Sequence, residues 1–235
     1  MAQQYDHYRP SYPGVLINRL AALSPATTLD VGCGTGKVAT ALANHGLTVL
    51  GLEPDERMAE LARANGVTVE VAMFEAWDGM GRTFDLLTSG DAWHWIDPAE
   101  GRRKAADLLN PGGTIARFWN FHEAEPVFLT AFEAVYRDYA PDLTVAGGVP
   151  KSTRNVTDPF ADDPAFTFCS SDTYSWELNL TADEWVGLVT TFSDHQQLAP
   201  EQLATLLDGL RAVIEQLGGT VRTRSGTFVQ FAERA

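Results

Sequence analysis

A run of closely spaced glycines near residue 30 constrains this chain more than any other feature. Residues 29–36 read LDVGCGTG, with glycine at every second position after a short apolar stretch. Glycine lets the backbone turn sharply and lets a ligand come close to it. Residues 37–45 are rich in alanine and predict a helix, whose first turn offers free N–H groups and the positive end of the helix dipole. The pattern therefore predicts a strand, a ligand-binding turn and a helix.

Three classes of ligand use a glycine turn of this kind, and the spacing separates them. A dinucleotide site prefers G-x-G-x-x-G, but here the third glycine comes one residue early. A phosphate loop needs G-x-x-x-x-G-K and then Ser or Thr, but Gly32 is one position too near and Val38 follows the lysine. An acid just before the glycines, Asp30, suits a ligand with a cationic end and no phosphate. S-adenosylmethionine is such a ligand, and Asp30 would face its ammonium group, directly or through water.

A second carboxylate ends the next predicted strand, which reads TVLGLE over residues 48–53. A carboxylate at this strand tip can accept hydrogen bonds from both hydroxyls of a ribose. Surface charge or helix capping would explain Asp30 and Glu53 without any ligand. We favour the ligand interpretation because the glycine turn and the two acids point to one molecule.

Alternating strand-like and helix-like segments indicate an α/β fold. Repeated β–α units imply a parallel sheet with helices on both faces, and its ligands bind beyond the carboxyl ends of the strands. A late pair of strands would extend the sheet, and the helices between them would cover the ligand edge. Strands are predicted over 28–31, 48–53, 67–72, 84–88, 114–119, 166–180 and 220–231, helices over 13–23, 37–45, 54–65, 98–109, 125–139, 181–192 and 200–217, a turn over 110–113, and a loop over 141–164.

The 235 residues fit a single domain. Within it we predict an N-terminal cap over 1–23, a cofactor-binding core over 24–120, substrate-cap insertions with a late strand over 121–219, and a last strand over 220–235. The sequence contains neither a recognisable signal peptide nor the roughly 20 apolar residues of a membrane span, so we expect a cytoplasmic protein without a membrane partner.

Charge and side-chain usage narrow the expected partners. The net charge of −14 disfavours nucleic acid, whose binding normally needs a basic patch. The five histidines lack close ligand spacing, so no metal site is expected. The two cysteines are expected to be buried thiols. A small-molecule substrate is the expected partner, and the chain is expected to be a monomer or a homodimer.

These segments resemble the class I S-adenosylmethionine-dependent methyltransferases. The resemblance runs from Leu29 to about Trp119 and includes the glycine turn and residues 51–58, 83–88 and 109–113. Residues 8–13 (YRPSYP) and 92–95 (AWHW) are similar to the small-molecule trans-aconitate methyltransferase-like group. The resemblance implies a Rossmann-like, seven-stranded, mostly parallel sheet with an antiparallel last strand, helices on both faces and a small helical cap.

The resemblance also implies roles for individual residues. The glycine turn would touch the methionine part of the cofactor, Glu53 would bind its ribose, and Pro54 would lie against the adenine. Phe74 and Glu75 would border the adenine, but the aspartate that many members carry just before this point is missing, and Glu75 could substitute for it. The predicted cofactor contacts are Arg9, Asp30, Gly32, Cys33, Gly34, Gly36, Glu53, Pro54, Phe74, Glu75 and Gly90.

A sulfonium methyl group is already activated, so a methyltransferase mainly aligns nucleophile, methyl and sulfur, and a base can help by removing a proton. We predict His94 as that base because it follows the fourth strand and titrates near neutral pH; a structural place in a tryptophan-rich loop is the alternative. Arg9 would approach the methionine carboxylate if the N-terminal segment covers the cofactor, and an ordinary cap on the first helix is its alternative. The predicted substrate contacts are Tyr8, Tyr12, Trp93, Trp95, Trp119 and His195. For His195, a solvated position in a loop is the alternative interpretation.

The sequence therefore predicts methyl transfer from S-adenosylmethionine to an oxygen, nitrogen or carbon atom of a small molecule. Two other interpretations stay open at this point. One is a regulatory protein that binds the cofactor without turnover. The other is a nicotinamide oxidoreductase, against which the glycine spacing argues.

Overall fold

The computed structural model describes residues 2–148 and 158–235, and the described part contains one seven-stranded sheet in the order β3-β2-β1-β4-β5-β7-β6. The strands are β1 (Thr28–Val31), β2 (Val49–Leu52), β3 (Thr68–Glu70), β4 (Phe84–Gly90), β5 (Leu109–Ala124), β6 (Phe166–Thr181) and β7 (Thr220–Arg234). The helices are α1 (Ala2–Tyr8), α2 (Gly14–Ala22), α3 (Lys37–Ala43), α4 (Glu56–Ala64), α5 (Pro98–Leu108), α6 (Pro126–Tyr139), α7 (Ala182–Val189) and α8 (Pro200–Gln216).

The pairing of the strands confirms the expected fold class. Strands β1 to β5 run parallel, β7 is antiparallel to β5, and β6 is antiparallel to β7. The strand order reverses between β1 and β4, and ligands of open α/β sheets bind in the crevice outside such a reversal. The glycine turn follows β1 and therefore lies at this crevice.

Strand β5 is longer than the predicted strand over 114–119. It takes in the predicted turn at 110–113 and continues to Ala124, where it still pairs with Thr223 of β7. The alternation of apolar residues fades after Trp119, but the ladder to β7 satisfies the backbone groups of this extension. The extension carries β5 beyond the parallel sheet and under the late helices.

The late helices pack together as the small helical cap that the resemblance implies. Helices α6, α7 and α8 share an apolar core in which the rings of Phe132 and Trp185 stack with centroids 5.3 Å apart. A capping box opens α7, because the Thr181 hydroxyl accepts the Glu184 N–H while the Glu184 carboxylate accepts the Thr181 N–H.

Helix α1 is not predicted by the sequence, and its seven residues are too few for a helix stable on its own. Tertiary contacts hold it in place. The Asp6 carboxylate accepts the Thr35 hydroxyl at 2.7 Å, and the Asp6 carbonyl accepts the Lys37 ammonium at 2.7 Å. The ring of Tyr8 lies so close to Gly187 that a Cβ there would approach it to 2.3 Å. Helix α1 therefore bridges the glycine turn and the helical cap.

A buried ion pair fixes the chain where the described residues resume at 158. Arg117 of β5 is 1% exposed, and its guanidinium donates to both carboxylate oxygens of Asp158 at 2.7 Å. The Phe160 ring covers the guanidinium at 4.0 Å.

Residues 149–157 of the predicted loop lie outside the described residues. None of the described helices is long and apolar enough to span a membrane.

Candidate functional site

A cleft of about 400 Å³ opens beyond the carboxyl ends of β1, β2 and β4; we call it the first cleft. The carboxyl ends of parallel strands meet at one edge of a sheet, so residues far apart in sequence come together there. Eight predicted site residues line it: Gly32, Gly34, Glu53, Pro54, Phe74, Glu75, Gly90 and Trp95.

The glycine turn has the backbone that its sequence predicts. Gly32, Gly34 and Gly36 all have positive φ angles, of 66°, 57° and 86°, where a side chain would be strained. The N–H groups of Gly32 and Cys33 both donate to the Leu52 carbonyl, at 2.8 and 3.0 Å. These two bonds tie the turn to the end of β2 and so place it beside Glu53.

Glu53 lies at the wall of the first cleft and is 8% exposed. One carboxylate oxygen accepts the Gly34 N–H at 2.9 Å and the other accepts the Asp55 N–H at 3.0 Å. Burial raises the pKa of Glu53 above its usual value, and the two N–H donors offset part of that shift. Because each carboxylate oxygen has two acceptor sites, both oxygens can still accept a ligand hydroxyl.

Asp30 is fully buried in a small inner pocket behind the glycine turn, which Cys33 and Tyr12 also line. One carboxylate oxygen accepts the Thr88 hydroxyl at 2.7 Å, and the other has no hydrogen-bond partner among the described residues. Burial raises the pKa of Asp30 to about 7. A buried carboxylate oxygen without a partner is costly, and a ligand cation would compensate it.

Glu75 offers a similar unpartnered oxygen at the other end of the first cleft. Its Oε1 accepts the Asp97 N–H at 3.0 Å, and its buried Oε2 has no partner within the described part of the chain. Phe74, beside it, is buried against Trp93. Glu75 can therefore accept a ligand N–H at the position where the expected aspartate is missing.

The predicted base, His94, is held by an indole. The Trp119 N–H donates to Nδ1 of His94 at 3.2 Å. An indole N–H can only donate, so neutral His94 carries its proton on Nε2. Burial lowers the pKa of His94. His94 can act as a base only after the bond from Trp119 breaks.

Three of the predicted residues take part in packing and do not line the first cleft. Trp93 is a core residue, 6% exposed and packed against Phe160, so a substrate contact there is not supported. Tyr8 packs on the cap as described above. Gly36 precedes α3, and a Cβ there would lie 2.9 Å from Val67 and 3.2 Å from Ala62 of α4, which explains the glycine by close packing.

A second cleft of about 360 Å³ lies between the extension of β5 and the helical cap. Arg9 and His195 line this second cleft, not the first. His195 is 1% exposed; Tyr136 lies 2.6 Å from its Nε2 and Asp194 lies 2.7 Å from its Nδ1. The interpretation of His195 as a solvated loop residue is therefore wrong.

Comparison with known proteins decides the family. Residues 28–113 match a methyltransferase domain family. An uncharacterized methyltransferase of Anoxybacillus flavithermus is 30% identical over 161 residues, which make up 60% of this chain and 76% of that protein. The chain belongs to the class I S-adenosylmethionine-dependent methyltransferases.

Other methyltransferases match a shorter part of the chain or the fold alone. An uncharacterized methyltransferase of Mycobacterium tuberculosis is 34% identical over 119 residues, so the match spans about half of each protein (49% and 49%). A provisionally assigned type II methyltransferase of Anaeromyxobacter dehalogenans superposes with a TM-score of 0.67 over 96% of this chain and 98% of its own, at 22% identity. That likeness shows the fold alone.

Two residues that no motif singled out also line the first cleft. Asp91 lines the first cleft at a positive φ of 53°, and its carboxylate accepts the Tyr12 hydroxyl at 3.0 Å and the Asn120 N–H at 3.1 Å. The sequence contains a signal for Asp91, because this acid comes directly after β4, just as Asp30 and Glu53 lie at the ends of β1 and β2. Tyr5 of α1 also lines the first cleft, and no pattern in the sequence indicates that.

Proposed function

We propose that this chain transfers the methyl group of S-adenosylmethionine to a small-molecule acceptor. The observation that carries the proposal is a set of carboxylate oxygens in and beside the first cleft. Glu53 has two usable oxygens and Glu75 one unpartnered oxygen in the cleft, and Asp30 has one unpartnered oxygen in the inner pocket behind the glycine turn. A nucleoside with a cationic amino-acid tail presents ribose hydroxyls, an ammonium group and an adenine N–H, which are the donors that this set requires.

The residues fit the cofactor along the length of the first cleft. Glu53 would hold the ribose, Glu75 the adenine amino group, and Asp30 the ammonium of the methionine tail beside the glycine turn. Met58 and Ile96 supply apolar surface in the cleft. When bound, the sulfonium supplies an activated methyl group, so the chain's own task is to place the acceptor in line. We retain His94 as the proposed base, and its Nδ1 must first lose the hydrogen bond from the Trp119 N–H.

A small molecule remains the proposed acceptor class, and the net charge of −14 supports it against nucleic acid. Cytoplasmic location, the division into cap, core and insertions, and a monomeric or homodimeric state remain proposals from the sequence.

Calorimetry with S-adenosylhomocysteine and with NADH tests the cofactor. We expect S-adenosylhomocysteine to bind and NADH to give no heat. Transfer of a labelled methyl group to a panel of hydroxy, amino and carboxylate compounds then tests turnover. Tight binding with no transfer to any compound would favour the cofactor-binding regulator, and absence of S-adenosylhomocysteine binding would refute the proposal.

The affinity for S-adenosylhomocysteine is expected to depend on pH through Asp30. The pKa of Asp30 is raised to about 7 by burial, so below that pH the folded protein holds the carboxyl group protonated and neutral. A ligand ammonium favours the ionised form, so binding is strongest above about pH 7 and weakens as the pH falls, by up to about tenfold per pH unit. Calorimetry across this range measures the slope.

Asp30→Asn is the control for this pH dependence. The variant cannot ionise at this position, so its affinity is expected to be low and nearly independent of pH. Glu53 also has a raised pKa, and a slope that persists in Asp30→Asn would assign the effect to Glu53 and contradict the prediction.

A further inference from the structure

The two clefts share a wall in which residues that line one cleft contact residues that line the other. Tyr5 and Asp91 line the first cleft, and Arg9 and Asn120 line the second. The Arg9 guanidinium lies 5.4 Å from the centre of the Tyr5 ring, and the Asn120 N–H donates to Asp91 at 3.1 Å. A molecule in the second cleft therefore lies next to the site proposed for the cofactor.

One histidine of the second cleft has a free lone pair, and a chain of hydrogen bonds shows which nitrogen carries it. The Thr223 hydroxyl donates to the Leu178 carbonyl at 2.9 Å, so its oxygen can only accept from Ser225, 2.8 Å away. The single hydroxyl proton of Ser225 is then used on Thr223, so Ser225 must accept from Nδ1 of His122, at 2.8 Å. His122 consequently carries its proton on Nδ1 and a bare lone pair on Nε2.

His122 keeps that lone pair without a partner. The residue is 8% exposed, and its Nε2 has no hydrogen bond to any of the described residues. Burial, together with the charge of Arg9, lowers the pKa of His122 to about 4, so the ring stays neutral near pH 7. His94 and His195 differ, because protein donors already lie against their acceptor nitrogens. His122 is thus a buried hydrogen-bond acceptor in need of a donor.

Arg9 brings a positive charge to the same cleft, and no carboxylate of the described residues lies within ion-pair distance of it. Burial raises the pKa of the nearby Asp91, and the charge of Arg9 offsets part of that shift. Its guanidinium donates to the hydroxyl of Thr191 at 2.8 Å and packs over the Phe192 ring at 4.7 Å. Within residues 2–148 and 158–235 it forms no ion pair, and residues 149–157 contain no acidic side chain that could provide one. Asp194 also lines the cleft, but it is engaged with His195.

We propose that the second cleft binds the methyl acceptor, and that this acceptor is a small anionic molecule with a hydroxyl or N–H group: Arg9 pairs with the anion and His122 Nε2 accepts the hydroxyl or N–H. The apolar side chains of Leu188 and Phe192 contact the body of the molecule. The assignment as the acceptor site rests on the function proposed above, whereas the binding chemistry of the cleft can be measured without it.

Three matched probes test the proposal: 4-hydroxyphenylacetate, phenylacetate, which lacks the hydroxyl, and p-cresol, which lacks the carboxylate. Titrations are carried out on the full chain saturated with S-adenosylhomocysteine, and again without it. We expect 4-hydroxyphenylacetate to bind about tenfold more tightly than either of the other two, because each loses one hydrogen-bonded partner. In ¹⁵N spectra, only the hydroxylated probes should shift the Nε2 resonance of His122.

Variants assign each preference to its residue. Arg9→Gln should lose about tenfold in affinity for 4-hydroxyphenylacetate and leave p-cresol binding unchanged. His122→Phe keeps a ring but has no lone pair, so it should bind 4-hydroxyphenylacetate and phenylacetate equally. Ser225→Ala should move the His122 proton between the ring nitrogens, which the same spectra report. The exposed Arg137→Gln and His45→Gln are the matched controls and should behave as the parent.

The outcomes separate this proposal from the function proposed above. Equal affinity for all three probes, or no shift at His122 Nε2 in the parent protein, overturns the assignment even if a variant fails to fold. Loss of S-adenosylhomocysteine affinity in Arg9→Gln, with probe binding unchanged, would place Arg9 at the methionine carboxylate and also overturn it. If S-adenosylhomocysteine does not bind the parent, the cofactor proposal fails, whatever the probes show.

Discussion

Glu53→Ala is expected to weaken binding of S-adenosylhomocysteine by at least about a hundredfold. Two ligand hydroxyls would lose hydrogen bonds to a charged acceptor, each worth about 1.5–3 kcal/mol. The change also removes the acceptor for the N–H groups of Gly34 and Asp55, so the glycine turn loses a tie to the end of β2. Isothermal titration calorimetry of parent and variant measures the effect.

Glu56→Ala is the matched control for this experiment. It removes the same charge three positions away, from an exposed side chain that pairs with Arg63 outside the first cleft. Its affinity is expected to equal that of the parent within error. An unchanged dissociation constant in Glu53→Ala would remove the basis for a ribose at this position, and the cofactor proposal with it.

Asp158→Ala is expected to lower the free energy of unfolding by about 3–5 kcal/mol, because it leaves the buried Arg117 without a counterion. Arg117 is 1% exposed and the Asp158 side chain 12% exposed, so water cannot take over the role of the carboxylate. A loss of this size is a large part of the 5–15 kcal/mol that is typical of a folded domain. Urea denaturation measures it as a lower transition midpoint.

Asp183→Ala is the matched control for the ion pair. Asp183 pairs with Arg211, but its side chain is 78% exposed, and pairs of this kind contribute at most about 1 kcal/mol. If they fold, both variants should bind S-adenosylhomocysteine as tightly as the parent, because neither Asp158 nor Asp183 lines the first cleft. Equal midpoints for Asp158→Ala and the parent would mean that Arg117 finds another partner.

The parts of the site that follow from the sequence are those set by local spacing. The glycine turn, Asp30 and Glu53 come within 25 residues of one another, and the topology of a parallel sheet is enough to bring them to one edge. The seven-stranded sheet with antiparallel late strands likewise follows from the alternation of segments and from the family resemblance.

The parts that the sequence does not predict depend on contacts between distant segments. Helix α1 exists because Asp6 meets the glycine turn and Tyr8 meets α7. Arg9 lines the second cleft because it bonds to Thr191, 182 positions later. The protonation of His122 depends on Thr223 and Ser225, which β7 brings to β5. No periodicity or motif within one segment contains this information.

Strand β5 carries part of the wall between the two clefts and part of the second cleft on a single ladder with β7. Asn120, at the shared wall, and His122, in the second cleft, point to the same face because side chains of a strand alternate. One residue inserted between them would turn every later side chain of the strand to the opposite face and bury the wrong ones. Under the proposed acceptor site, β5 can therefore alter acceptor preference only through the identity of its alternate residues, never through their number.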